Sequence, residues 1–172
     1  MHWWMLCTRA QEIPRLEKRL RVSAPRLVVQ VGRRSRLQRH ASAWERFLKT
    51  DSASVVIVDA DVCCGFWGPA QGRLTKALAT MQRLGRSCLF LGRRHPYAAL
   101  PPDVGDEVAE LPMCKDYSVG DYAVAYVITR EGAAMLLREA DKCCHDSVYV
   151  FIQSVLAQQA CVLAIPFTFA QG

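Results

Sequence analysis

The sequence predicts an α/β layered fold with a mainly parallel central sheet. Three observations carry this reading. Short β-branched or apolar runs recur along the chain, stretches with apolar residues at helical spacing lie between them, and Gly or Pro closes most runs. Strands alternating with amphipathic helices are the pattern of such a sheet.

Residues 9–21 have the pattern of a basic amphipathic helix, which Pro14 disfavours. Leu27 to Val31 reads as a short strand, opened by Pro25 and closed by Gly32. Residues 35–49 place Leu37, Ala41, Trp44 and Leu48 on one helical face. Ser54-Val55-Val56-Ile57-Val58 is a β-branched run of the kind found in buried strands, and Gly65, Gly68 and Pro69 mark a loop after it. Over 73–84, Leu74, Ala77, Leu78, Met81 and Leu84 make one stripe, with Gly85 as its stop. Ser87 to Leu91 is the next strand. The stretch from Arg93 to Asp121 is rich in Pro, Gly and acids, with a short strand expected at Glu107 to Leu111. Tyr122 to Ile128 is a strand, after which Thr129 caps a helix carrying Ala133, Leu136 and Leu137. Residues 147–158 form a further helix capped by Asp146 or Ser147, and Cys161 to Ile165 a last strand.

With 172 residues, 51% of them hydrophobic and 22% charged, the chain is expected to fold as one globular domain with a sizeable core. Its first 24 residues read as a basic extension and 25–172 as the domain. No apolar stretch has the length of a membrane span. The apolar start, Met1 to Cys7, is too short for a signal-peptide core.

Charge is uneven. Residues 1–50 hold twelve Lys or Arg against three Glu, whereas the whole chain carries +6, so the remainder is net acidic. The basic third fits an anionic partner: a phosphate-bearing substrate, a membrane surface or nucleic acid. It fits equally the solvated face of a basic helix. Nucleic-acid binding is the weakest of these readings, because no interleaved aromatics or recognisable module accompany the charge. The eight cysteines include the adjacent pairs Cys63-Cys64 and Cys143-Cys144 and show no Cys-x-x-Cys spacing. A structural zinc site is not supported, and a reduced, cytoplasmic setting fits best, with peripheral membrane association still open.

The most informative motif is Asp59-Ala60-Asp61 at the end of the β-branched run. Ligands of open α/β sheets bind outside the carboxyl ends of the strands. Two carboxylates across one spacer there suit a hard divalent cation shared with substrate phosphates. They also suit an ordinary Asp-rich turn.

The order of motifs adds a resemblance. His40 precedes Trp44-Glu45 on one helix, the Asp-x-Asp strand follows, and Ala125-Tyr126-Val127-Ile128-Thr129-Arg130-Glu131-Gly132-Ala133 runs on to Leu136-Leu137. Across residues 40–170 this resembles glycosyltransferase family 25. That family includes lipooligosaccharide glycosyltransferases and collagen galactosyltransferases. Its members show a His-x-x-x-Trp-Glu-like helix, a Leu-Glu-Asp-Asp strand end and an Ala-Tyr-Val-Ile-Ser-Arg-x-Gly-Ala-x-x-Leu segment. Asp59 stands at the family's Glu, Asp61 at its last Asp, and Ala60 replaces the middle acid. The usual interval between the opening strand and the His/Trp helix is shortened here.

The resemblance implies a GT-A-like fold and metal-assisted transfer of a sugar, galactose in part of the family, from a nucleotide-sugar (a UDP-sugar) to a saccharide or other hydroxylated acceptor. Asp59 and Asp61 would hold the cation, with Mn²⁺ favoured by analogy. Arg33, Arg34, Arg36 and His40 would serve the nucleotide-sugar, and Asp146 would act as the base toward the acceptor hydroxyl. Asp146 also suits a plain helix cap. Tyr126 and Trp44 read as core residues rather than sugar platforms. The alternative to an enzyme is a catalytically inactive glycosyltransferase-like binding module.

Overall fold

A computed structural model describes residues 2–6, 35–59, 62–64, 70–91, 108–110, 125–142, 147–163 and 169–171. The elements in chain order are β1 (His2–Leu6), α1 (Arg36–Leu48), β2 (Ser54–Asp59), β3 (Val62–Cys64), α2 (Ala70–Arg83), β4 (Cys88–Phe90), β5 (Val108–Glu110), β6 (Ala125–Thr129), α3 (Arg130–Ala140), α4 (Val148–Leu156), a 3₁₀ turn (Ala157–Gln159), β7 (Ala160–Leu163) and β8 (Phe169–Gln171). The expected strand at 27–31 and the basic stretch at 9–21 lie outside the described residues.

Six strands form the central sheet in the order β1-β2-β6-β4-β7-β5, and β3 pairs with β8 in a separate ribbon. The sheet is mixed, which corrects the expectation of a mainly parallel one. Among the described residues β1–β2 and β4–β7 are the parallel pairs; β6 runs antiparallel to both β2 and β4, and β5 antiparallel to β7. A strand buried on both faces reads as the same apolar run in either direction, so the sequence pattern carries no sign of this reversal.

Both faces of the sheet are covered. Val55 and Ile57 of β2 join Trp44, Phe47, Ile128, Leu136 and Phe151 on the side of α1, α3 and α4. Val56 and Val58 turn to the other side, with Leu74, Ala77 and Met81 of α2. The unbroken apolar run of β2 follows from this: alternate residues point to opposite cores.

The helix ends are chemically specified. Ser35 and Gln38 form a reciprocal capping box on α1. Thr129 accepts from Gly132 N on α3, and Ser147 from Val150 N on α4. Gly85, at φ +61°, takes the left-handed conformation after α2, where a β-carbon would be strained. Arg130 lies at the start of α3 but serves the end of α1. Its Nη1 donates to the Thr50 carbonyl and its Nη2 to the Leu48 carbonyl at 2.7 Å. Its guanidinium carbon also lies 5.9 Å from the Phe47 ring centroid.

Within the first 24 residues, His2–Leu6 pairs in register with Val55–Asp59 at the edge of the sheet.

Candidate functional site

The site is built where β2 ends. Asp59 has the parity of Val55 and Ile57, so its side chain enters the layer beneath α1, where it is only 3% exposed. From α1, His40 and Trp44 stand four residues apart and therefore on one helical face, and both are fully buried. From β6, Tyr126 lies opposite Ile57 in the antiparallel register, two residues short of Asp59.

These four side chains form one chain of hydrogen bonds. Trp44 Nε1 donates to the Tyr126 hydroxyl at 2.9 Å. The hydroxyl lies 2.8 Å from His40 Nδ1, and His40 Nε2 lies 3.0 Å from Asp59 Oδ1. The His40 and Tyr126 rings are stacked, with centroids 5.7 Å apart. Arg36, one turn before His40, places Nε 3.8 Å from Asp59 Oδ2. Burial raises the pKa of Tyr126 well above its ordinary value; the bond from Trp44 works against this shift and the Asp59 charge adds to it. The phenol is therefore a neutral donor at any physiological pH.

Of the residues expected in the site, the structure brings together Asp59, His40 and Arg36. Arg33, Arg34, Asp61 and Asp146 lie outside the described residues. Both ring nitrogens of His40 are occupied by protein partners, so His40 reaches a bound molecule only through Asp59. Tyr126 and Trp44 are core residues, as expected, but their polar atoms also complete the network around Asp59. The sequence carried one sign of this: all four members fall within the motif segments His40 to Glu45, Asp59-Ala60-Asp61 and Ala125-Tyr126. Among the described residues no group of three or more His, Cys, Asp or Glu is arranged to hold a metal ion. Nor is any helix among them long and apolar enough to cross a membrane.

No family model matches the sequence, and no curated protein matches it. Solved structures do. A197 from STIV is similar with a TM-score of 0.57 at 17% identity, over 95% of this chain and 82% of that one. S. aureus TarS 1-349 in complex with UDP-GlcNAc is similar with a TM-score of 0.51 at 10% identity, over 98% of this chain and 58% of TarS. A second structure of S. aureus TarS 1-349 gives a TM-score of 0.50 at 10% identity, over 98% of this chain and 60% of TarS. This chain thus spans less than two thirds of the TarS chains. The likeness is one of fold: the chain shares its architecture with A197 and with TarS.

Proposed function

We propose that this chain is a glycosyltransferase of the family 25 type, which transfers a sugar from a UDP-sugar to a hydroxyl acceptor. The observation that carries the reading is the convergence of His40, Trp44, Asp59 and Tyr126 on one buried network at the end of β2. All four are positions of the family's motifs, and they come from three elements far apart in sequence. Likeness in fold to a protein crystallised with UDP-GlcNAc supports the same reading.

Asp59 and Asp61 are the donors we assign to a hard cation. Asp59 is a carboxylate fixed at a strand end, with Oδ1 bonded to His40 and Oδ2 facing Arg36. Asp61 would be the principal ligand and Asp59 the anchor of the turn. A divalent ion bound there would supply Lewis-acid stabilisation to the leaving diphosphate. Arg36, with Arg33 and Arg34, would add charge-assisted bonds to the phosphates. Asp146 would accept the acceptor's hydroxyl proton.

The test is Mn²⁺-dependent hydrolysis of a panel of UDP-sugars by the wild type and Asp61→Ala. Turnover in the wild type that is lost in the variant supports the assignment. Negligible turnover in both would overturn it and leave the binding-module reading.

A further inference from the structure

We propose that Tyr126 is a positioning residue for Asp59, acting through His40, and that Trp44 sets the direction in which it acts. The consequence for turnover rests on the nucleotide-sugar reading above; the positioning itself does not.

The argument starts from what each group is able to donate. Indole Nε1–H only donates, so the Tyr126 oxygen must accept from Trp44. Tyr126 then has one proton to give, and His40 Nδ1 is 2.8 Å away. An imidazole nitrogen that accepts leaves the proton on the other nitrogen, so His40 is assigned as the Nε2–H tautomer and donates to Asp59 Oδ1. Each bond fixes the polarity of the next. The result is a fixed donor aimed at one oxygen of Asp59, while the other oxygen is turned to Arg36.

Burial of these groups is costly. Apolar side chains would fill the same space without desolvating a carboxylate, an imidazole and a phenol. What the polar set supplies instead is orientation: the carboxylate plane is held at two points by residues on α1, and the histidine is held in turn by β6. Supporting residues of this kind act by locking the rotamer and tautomer of the group in front of them.

The test combines nitrogen NMR of the histidine rings with kinetics. Wild-type His40, assigned by its loss in His40→Gln, is expected as the Nε2–H tautomer. In Tyr126→Phe that tautomer preference is expected to weaken. With UDP-GlcNAc or UDP-galactose, whichever the wild type hydrolyses in Mn²⁺, kcat of Tyr126→Phe is expected to fall about 10- to 100-fold, the range for loss of such support. KM is expected to stay within about twofold, because Tyr126 does not meet the donor. His40→Gln, which keeps an N–H near the place of Nε2, retains most of the activity that His40→Ala loses. Circular dichroism confirms that each variant is folded before comparison; if Tyr126→Phe is not, the pair at His40 decides. An Nδ1–H tautomer in the wild type, a folded Tyr126→Phe with wild-type kcat, or equal activity of His40→Gln and His40→Ala would overturn the proposal. Absence of turnover in the wild type would overturn the nucleotide-sugar reading instead, and the tautomer would then decide the positioning alone.

Discussion

Gly132 and Ser87 touch where α3 crosses the start of β4. A β-carbon built on Gly132 would stand 3.0 Å from both the Ser87 β-carbon and the Ser87 carbonyl oxygen. That carbonyl is itself fixed, because it accepts from Thr129 N at 3.0 Å. Gly132→Ala gains the helix preference of alanine, about 0.8–1 kcal/mol, but must move α3 or break this bond. Overpacking of this kind costs about 1–3 kcal/mol, so the variant is expected to be less stable than the wild type. Its urea midpoint, with an unchanged m-value, checks this.

Loss of the Tyr126 hydroxyl has a second signature, in stability. Tyr126→Phe leaves the Trp44 indole N–H and His40 Nδ1 without their partner in the core. At about 1–3 kcal/mol for each buried group, the total is expected at about 2–6 kcal/mol. Thermal unfolding at pH 7 reads it directly.

The same residue predicts how stability changes with alkali. Its pKa is raised in the folded state, chiefly by burial. The protonated phenol therefore contributes fully below the unfolded value near pH 10. Above it the unfolded chain releases a proton that the folded chain keeps, so stability falls as pH rises toward the folded pKa. The contribution of Tyr126 to that slope is about 1.4 kcal/mol per pH unit. Denaturant titrations between pH 9 and about 11 should show a shallower decline in Tyr126→Phe than in the wild type. Parallel declines would contradict it.

Arg130 ties the end of α1 to the start of α3 through two carbonyl bonds and the Phe47 ring. It places a cation where the helix dipole is negative. Arg130→Ala is expected to cost about 1–2 kcal/mol in urea unfolding, discounted for its exposure. Arg130→Lys should recover only part of this, because an ammonium does not span two carbonyls as the planar fork does.

Asp59→Ala removes the acceptor for His40 Nε2 and the carboxylate that faces Arg36. Losing one member of a buried charged set is expected to cost about 2–4 kcal/mol, much of it in the groups left behind. Differential scanning calorimetry should show a lower Tm for this variant. An unchanged Tm would mean that Asp59 contributes nothing to the fold.

Much of the layered fold was legible because its signals are local. The stripe Leu37, Ala41, Trp44 and Leu48 marked α1, and Thr129 and Ser147 cap α3 and α4 where turn chemistry places them. Gly85 stops α2, Val108–Glu110 falls within the expected 107–111, and Cys88 is buried as its apolar run implied. What the sequence hid was pairing at a distance. His2–Leu6 read as an apolar start, since its partner strand begins more than fifty positions later. β3 and β8 are short and, among the described residues, pair with each other, which no local periodicity announces. His40, Trp44, Asp59 and Tyr126 were legible as motif positions, with Trp44 and Tyr126 read as core residues. Their junction was not, because it depends on the direction of β6 and the parity of β2 together.

The reversed β6 gives the buried cluster of His40, Trp44 and Tyr126 one more consequence. Register on this strand sets which residues reach the α1 side. A slip of one position would exchange Tyr126 for Ala125 or Val127, send the phenol to the α2 side, and confront His40 and Trp44 with a methyl or isopropyl group. Two apolar neighbours would not distinguish the alternatives so sharply; two ring nitrogens in search of one oxygen do. The polar cluster thus proofreads the pairing of β6 with β2, admitting one alignment of the strands and penalising its neighbours.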